Sequence, residues 1–225
     1  ILGQPGGLKS FNLPLTADTN GFRITGEADD INIGTSISAA GDFNGDGCDD
    51  ILIGVINVND QAGKVYVIFG YISGFVDIDL SLFTTGAAGV VIVGSTPEML
   101  LGSSVACAGD VNGDGIGDII VAAPSFDYAD RTYAGKIMVI FGSKAMFSAD
   151  IDATVFATGT DGVVLGGSVE YYSVGVFGYK AGVSGLGYLD DDKYADFAVV
   201  GPAEVFVYYG AAVFSSDFDL SSPPT

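Results

Sequence analysis

The chain has 225 residues, 48% of them hydrophobic, enough for a sizeable core at the upper end of single-domain length. Its 28 acidic and 8 basic residues give a formal net charge of −20, which repels phosphate backbones and anionic membrane surfaces and argues against nucleic acid as a partner. There is no histidine, which removes the usual general base, the Ser/His/Asp and Cys/His nucleophile arrangements and the commonest zinc ligand.

In chain order, the sequence opens on Ile1 with no leader-like segment and reads as a processed product or a piece of something longer. Short apolar runs then follow, bounded by Gly, Asp and Asn, each the length of a strand rather than a helix. The first is Gly21 to Gly26. Gly34 to Ala40 starts a set of four that recurs: a strand A, an acidic loop, strand B at Ile51 to Gly54, strand C at Val65 to Gly70 and strand D at Gly89 to Gly94. The second set is Gly102 to Ala108, Ile119 to Ala122, Ile137 to Gly142 and Gly162 to Gly167. The third has a weaker strand A at Gly178 to Ser184, then Phe197 to Val200 and Val205 to Gly210, with Gly21 to Gly26 supplying a strand D at the front of the chain. The uncharged stretch Leu80 to Pro97 is broken by Thr84, Thr85, Gly86, Gly89 and Ser95; it reads as a turn plus a strand, not a membrane span. Cys48 and Cys107 lack the CxxC spacing of metal or redox motifs; two such cysteines either pair in an oxidising compartment or stay as buried thiols.

The period is set by four related segments beginning Ser10, Val76, Ala149 and Ser216. Aligned on Phe11, Asp77, Asp150 and Asp217, they lie 66, 73 and 67 residues apart. Strands B and C are apolar at successive positions, so both faces need cover, which the stacked blades of a propeller provide. A two-sheet sandwich, the alternative, does not explain a four-strand unit returning about every 70 residues. The expected fold is therefore all-β, a row of three four-stranded propeller blades spanning about 25–93, 94–166 and 167–225. A strand from about 8–25 is expected to complete the last blade or a neighbouring chain's blade. Propellers generally have four or more blades, so three should not close alone.

Between strands A and B lie Asp42 to Asp50 and Asp110 to Asp118, both fitting D-x-N-x-D-G-x-x-D. Asp42, Asn44, Asp46, the carbonyl of Cys48 and Asp50 form one candidate oxygen set for a hard cation, with Gly47 at the sharp turn. Asp110, Asn112, Asp114, the carbonyl of Ile116 and Asp118 form the other. Calcium suits such a cage better than magnesium. Position 12, glutamate in a helix-loop-helix site, is Ile53 or Val121 here, so the loops read as strand-loop-strand sites. The alternative is an Asx-turn hairpin with solvated aspartates and no metal. The third copy keeps Asp190, Asp192, Tyr194 and Asp196 but has Tyr188 at position 1 and Lys193 in place of the turn glycine, and is expected to bind weakly or not at all.

These residues resemble FG-GAP repeats of the integrin α-subunit type. The likeness is carried by Leu101 to Ala106, Gly109 to Gly115, Asp118 to Pro124 and Gly135 to Gly142. Blade 1 adds Gly41 to Gly47, Asp50 to Gly54 and Gly63 to Gly70, and blade 3 adds Phe177, Gly178 and Asp196 to Pro202. The resemblance implies calcium in the A–B loops on one face and recognition of a protein or glycan ligand by D–A and B–C loops on the other, in an extracellular or cell-surface setting. The first GAP-like segment departs from it, with Val55 after Gly54 and no proline. In the B–C loop Ser125 to Ala134, residues Phe126, Asp127, Tyr128, Asp130, Arg131 and Tyr133 are types that favour interface anchors. A second expectation is a structural subunit of an extracellular filament or ring, assembled through self-association by strand donation. The third, a calcium-dependent carbohydrate-cleaving enzyme, would draw on Asp29, Asp30, Glu98 and Glu170, whose spacing singles out no acid and base. A non-catalytic module is the preferred expectation.

Overall fold

The computed structural model describes residues 21–27, 32–72, 76–168, 176–177, 180–201, 204–214 and 216–220. Residues 8–20 of the expected N-terminal strand lie outside them, as do Asp29, Asp30 and Glu170.

Every strand run of the first two repeats folds as a strand. After β1 (Ile24–Thr25) come β2 (Ser36–Gly41), β3 (Asp50–Val55) and β4 (Lys64–Ile68), then the short β5 (Ile78–Asp79), a single 3-10 turn at Leu80–Leu82 and β6 (Gly89–Val93). The second repeat gives β7 (Val105–Gly109), β8 (Asp118–Ala123), β9 (Lys136–Ile140), β10 (Ile151–Asp152) and β11 (Gly162–Gly166). The third gives a small hairpin, β12 (Val176–Phe177) and β13 (Lys180–Ala181), then β14 (Val183–Gly187), β15 (Asp196–Val200), β16 (Val205–Tyr208) and β17 (Phe218–Asp219). The protein is all-β: among the described residues no helix is long and apolar enough to cross a membrane.

Blade 1 is the antiparallel sheet β2-β3-β4-β6 and blade 2 is β7-β8-β9-β11, so strands A to D appear in meander order. Each blade carries a fifth, parallel strand from the repeat after it. β10 lies along β6 with Ile151 beside Ile92, and β17 lies along β11 with Phe218 beside Leu165. These straps are the segments whose spacing set the repeat. Their aspartates reach back too: Asp150 Oδ1 accepts from the Thr85 hydroxyl and Asp217 Oδ2 from the Tyr128 hydroxyl.

Burial follows the stacking. One cluster lies between blades 1 and 2, with Leu52, Val65, Val67, Val90 and Ile92 against Ile119, Val121, Met138, Ile140 and Val164. Another lies between blades 2 and 3, with Ile120, Ile137, Val139, Val163 and Leu165 against Phe197, Val199 and Tyr208. Both faces of β8 and β9 are therefore covered, as their uninterrupted apolar runs require. A third cluster backs the free side of blade 1, where Ile24, Ile33, Ile78, Leu80 and Phe83 pack on Ile53, Tyr66, Ile68 and Val91.

The N-terminal strand departs from one expectation. Its described part, β1, pairs in parallel with β5 on blade 1, while β14-β15-β16 stands as a three-stranded sheet among the described residues. Glu27 fixes that placement by accepting from Lys64 Nζ at 2.8 Å and the Tyr66 hydroxyl at 2.7 Å.

Candidate metal centre

Each A–B loop is launched by the same device. Strand A ends in a bulge at Gly41, Gly109 or Gly187, with φ of +68°, +82° and +72°, a left-handed conformation that glycine takes without strain. The chain turns again at Gly47 and Gly115, with φ of +91° and +86°. It rejoins strand B at Asp50, Asp118 or Asp196.

The first two loops match hydrogen bond for hydrogen bond. Asp42 Oδ1 accepts from Asp46 N and Oδ2 from Gly47 N, both at 2.9 Å; Asn44 Oδ1 accepts from the same Asp46 N at 2.9 Å; Asp46 Oδ1 accepts from Cys48 N at 2.8 Å. In the second loop Asp110, Asn112 and Asp114 make the same contacts to Asp114 N, Gly115 N and Ile116 N, between 2.9 and 3.0 Å. The Asn44 side-chain amide donates to Asp46 Oδ2; this bond, with the Cys48 backbone amide, holds the Asp46 carboxyl below its ordinary range.

Position 9 plays a different part from the one the sequence assigns it alone. Asp50 and Asp118 are buried and hold the loop base: Asp50 accepts from Phe43 N and Gly70 N, Asp118 from Val111 N and Gly142 N, all at 2.7 to 2.9 Å. Burial outweighs those amides and raises the Asp50 carboxyl to about 6 and the Asp118 carboxyl to about 7.

In the third loop Asp196 keeps this anchoring role, accepting from Leu189 N and Gly210 N, and Asp190 and Asp192 keep the contacts of positions 3 and 5. Tyr188 has no carboxylate to offer at position 1. Lys193 turns to the second loop, donating to the Gly113 carbonyl at 3.3 Å and lying over the Tyr194 ring at 4.8 Å. Successive loops are also joined through their backbones. Gly117 N and Ser143 N donate to the carbonyls of Asp42 and Phe43; Ala195 N and Ala211 N donate to those of Asp110 and Val111.

The donor chemistry of loops 1 and 2 fits a hard cation: every side-chain ligand is an oxygen, and those of positions 1 and 3 already meet at one amide. Among the described residues, no three acidic, cysteine or histidine groups are gathered into a ready cage. The oxygens rest on loop amides, as in an Asx-turn hairpin. A carboxylate oxygen has two lone pairs, so an amide contact leaves it able to take a second partner. Cys48 and Cys107 are both free thiols.

Residues the sequence did not single out hold the opposite end of the blades. Lys136 is buried with its ammonium on the carbonyls of Ala153 and Phe156 and over the Phe126 ring, and burial lowers it to about 8. Of the expected recognition residues, Tyr128 and Arg131 are tied to strap residues Asp217 and Asp219, each at 2.8 Å, and the Tyr133 hydroxyl donates to Glu98. The strap aspartates that return in every repeat were the signal for the first two contacts.

Stacked meander blades with an acidic loop between their first and second strands define a β-propeller array. More particularly, the FG-GAP repeat family matches residues 34–68 and 102–140, and the chain carries FG-GAP repeats in blades 1 and 2. Mouse phosphatidylinositol-glycan-specific phospholipase D is 34% identical over 112 residues, 48% of this chain and 13% of that protein. Integrin alpha pat-2 of Caenorhabditis elegans is 33% identical over 120 residues, 49% of this chain and 9% of the integrin. Human integrin alpha-IIb is 28% identical over 205 residues, 88% of this chain and 18% of the integrin. The chain thus spans less than a fifth of each of these relatives.

Proposed function

We propose that this protein is a non-catalytic, calcium-stabilised propeller module that recognises a protein or glycan ligand outside the cell or at its surface. The observation that carries the calcium reading is the pair of identical oxygen networks in loops 1 and 2, set against a third loop that lacks the first carboxylate. Asp42, Asn44, Asp46, the Cys48 carbonyl and Asp50 would hold one ion; Asp110, Asn112, Asp114, the Ile116 carbonyl and Asp118 the other. The ion would offset clustered negative charge and brace the hairpin. At about 1 mM calcium and dissociation constants of roughly 0.1 to 1 mM, each site adds about 0.4 to 1.4 kcal/mol, so the ion secures a loop and does not drive folding.

The surface setting and recognition role rest on the likeness to integrin α-chains. Antiparallel meanders put the B–C loops at the end of each blade away from the acidic loops, and there Asp127, Asp130 and Tyr133 remain exposed. Calorimetric titration of metal-free protein tests the cation. Two sites of sub-millimolar to millimolar affinity are expected, one lost in Asp46→Ala and the other in Asp114→Ala; heat-silent titration with no calcium-dependent melting shift would refute it. Binding to arrayed glycans and extracellular proteins tests recognition, and hydrolysis of any of those glycans would overturn the non-catalytic reading.

A further inference from the structure

The acidic loops are bound to one another by a repeated contact. Gly117 N donates to the Asp42 carbonyl at 3.0 Å, and Ala195 N donates to the Asp110 carbonyl at 2.8 Å. In both, the donor is position 8 of a loop and the acceptor is position 1 of the loop before it. A second rung lies beside each, from Ser143 N to the Phe43 carbonyl at 2.9 Å and from Ala211 N to the Val111 carbonyl at 3.0 Å. The rungs leave no slack. A side chain on Gly142 would collide with the carbonyl oxygens of Gly117 and Phe43, and one on Gly210 with those of Ala195 and Val111. Gly142 N and Gly210 N are in turn held by the buried carboxylates of Asp118 and Asp196.

Position 8 matters because of the peptide it closes. The Gly117 N–H shares one planar group with the carbonyl of Ile116, and in a trans peptide the two point in opposite directions. That single peptide therefore turns its N–H into loop 1 and its carbonyl away from it. It joins a proposed carbonyl ligand of loop 2 to Asp42, the residue that supplies the first carboxylate of loop 1. A cation on the Ile116 carbonyl would polarise the peptide and strengthen its N–H as a donor. Fixing the peptide also removes freedom that loop 1 would otherwise lose on its own account. Charge works the other way, since a cation at one loop weakens the negative potential at the other. Asp46 and Asp114 are exposed, however, and at about 0.15 M salt exposed charges are screened over about 8 Å, so the linkage through the backbone governs.

We propose that loops 1 and 2 are coupled cation sites, the peptide between Ile116 and Gly117 carrying occupancy from one to the other so that each raises the other's affinity. This rests on the cation reading and adds to it a device that regulates those sites. The coupling is reciprocal, so the same factor applies in both directions, and a link of this kind is worth about fivefold. Loop 3 takes part although it lacks the first carboxylate. Ala195 N braces Asp110, and the Lys193 ammonium lies on the Gly113 carbonyl, so loop 2 is steadied from the following blade with no ion needed there.

Calorimetric titration with calcium at about 0.15 M salt is expected to show two sites filling with positive cooperativity. In Asp46→Ala only loop 2 can fill, and in Asp114→Ala only loop 1. The surviving site in each should be about fivefold weaker than in the parent, by the same factor in both. Both side chains are exposed, so the two variants should keep the parent's circular dichroism spectrum. Amide hydrogen exchange followed by NMR reads the link itself. Exchange at Gly117 should slow when calcium fills loop 1 of Asp114→Ala, and exchange at Ala195 should slow when calcium fills loop 2 of Asp46→Ala. Surviving sites of unchanged affinity, a surviving site that tightens, or amides at Gly117 and Ala195 that do not respond would each overturn the coupling and leave the two cation sites standing. No calcium heat and no amide response in the parent would overturn both readings together.

Discussion

Strand β9 of blade 2 and strand β16 of blade 3 carry the same pattern, Ile137 and Val139 against Val205 and Val207, yet the first pair is buried and the second is exposed. At the loop end of the same two blades the picture reverses. Asp118 and Asp196 are both buried and each holds two backbone amides in the same way. An interaction made within a blade survives wherever the repeat is copied, whereas one made between blades exists only where a neighbour stands.

The largest effects should fall on the interactions the blades share. Asp118→Ala leaves two buried amides without acceptors, at about 1–3 kcal/mol each, and Asp196→Ala should cost about the same. Chemical denaturation of the two variants would break the comparison if one proved neutral. Next, Ile137→Ala should cost about 2–5 kcal/mol and Val205→Ala about 0.5 kcal/mol or less. Equal losses there would mean that blade 3 is covered after all.

A graded effect of pH follows. The Asp50 and Asp118 carboxyls lie at about 6 and about 7, above their unfolded values. Their contribution to stability is fully present below about pH 4, and is lost as pH rises through 6 and 7, because the unfolded chain ionises first. Melting curves in chelator should therefore fall across that window and level off above it; a rise would show that the two groups are ionised well below it. A calcium ion held as proposed would take the ionised form, so its stabilising increment should be larger at pH 8 than at pH 5. The smallest effect separates the loops: Asp114→Ala should lower the melting temperature in calcium by more than in chelator, by the equivalent of about 0.4 to 1.4 kcal/mol, and Asp192→Ala should show no such difference.

Much of this was legible in the sequence because strands A to D carry their own signal. Uninterrupted runs such as Ile119 to Ala122 and Val65 to Ile68 state both length and two-sided burial. The alternate oxygens of the acidic loops were likewise legible, since they act within nine residues. The straps were visible as repeat markers but not as strands, because Ile151 and Asp152 owe their conformation to β6 in the preceding repeat. The anchoring role of Asp50 was hidden for the same reason. Its partner Gly70 lies 20 residues away, and the acid reads as a ligand alone until that distance closes. Tyr128 and Arg131 looked like ligand anchors because aromatic and guanidinium groups serve either purpose, and their partners lie almost 90 residues downstream.

The straps also govern how the molecule comes apart. Each is a covalent extension of one repeat stitched along the outer edge of the repeat before it, so two adjoining sheets cannot be prised apart like pages without tearing that seam as well. A pull on the protein should be resisted by the seams jointly, and rupture should release a span longer than any one sheet.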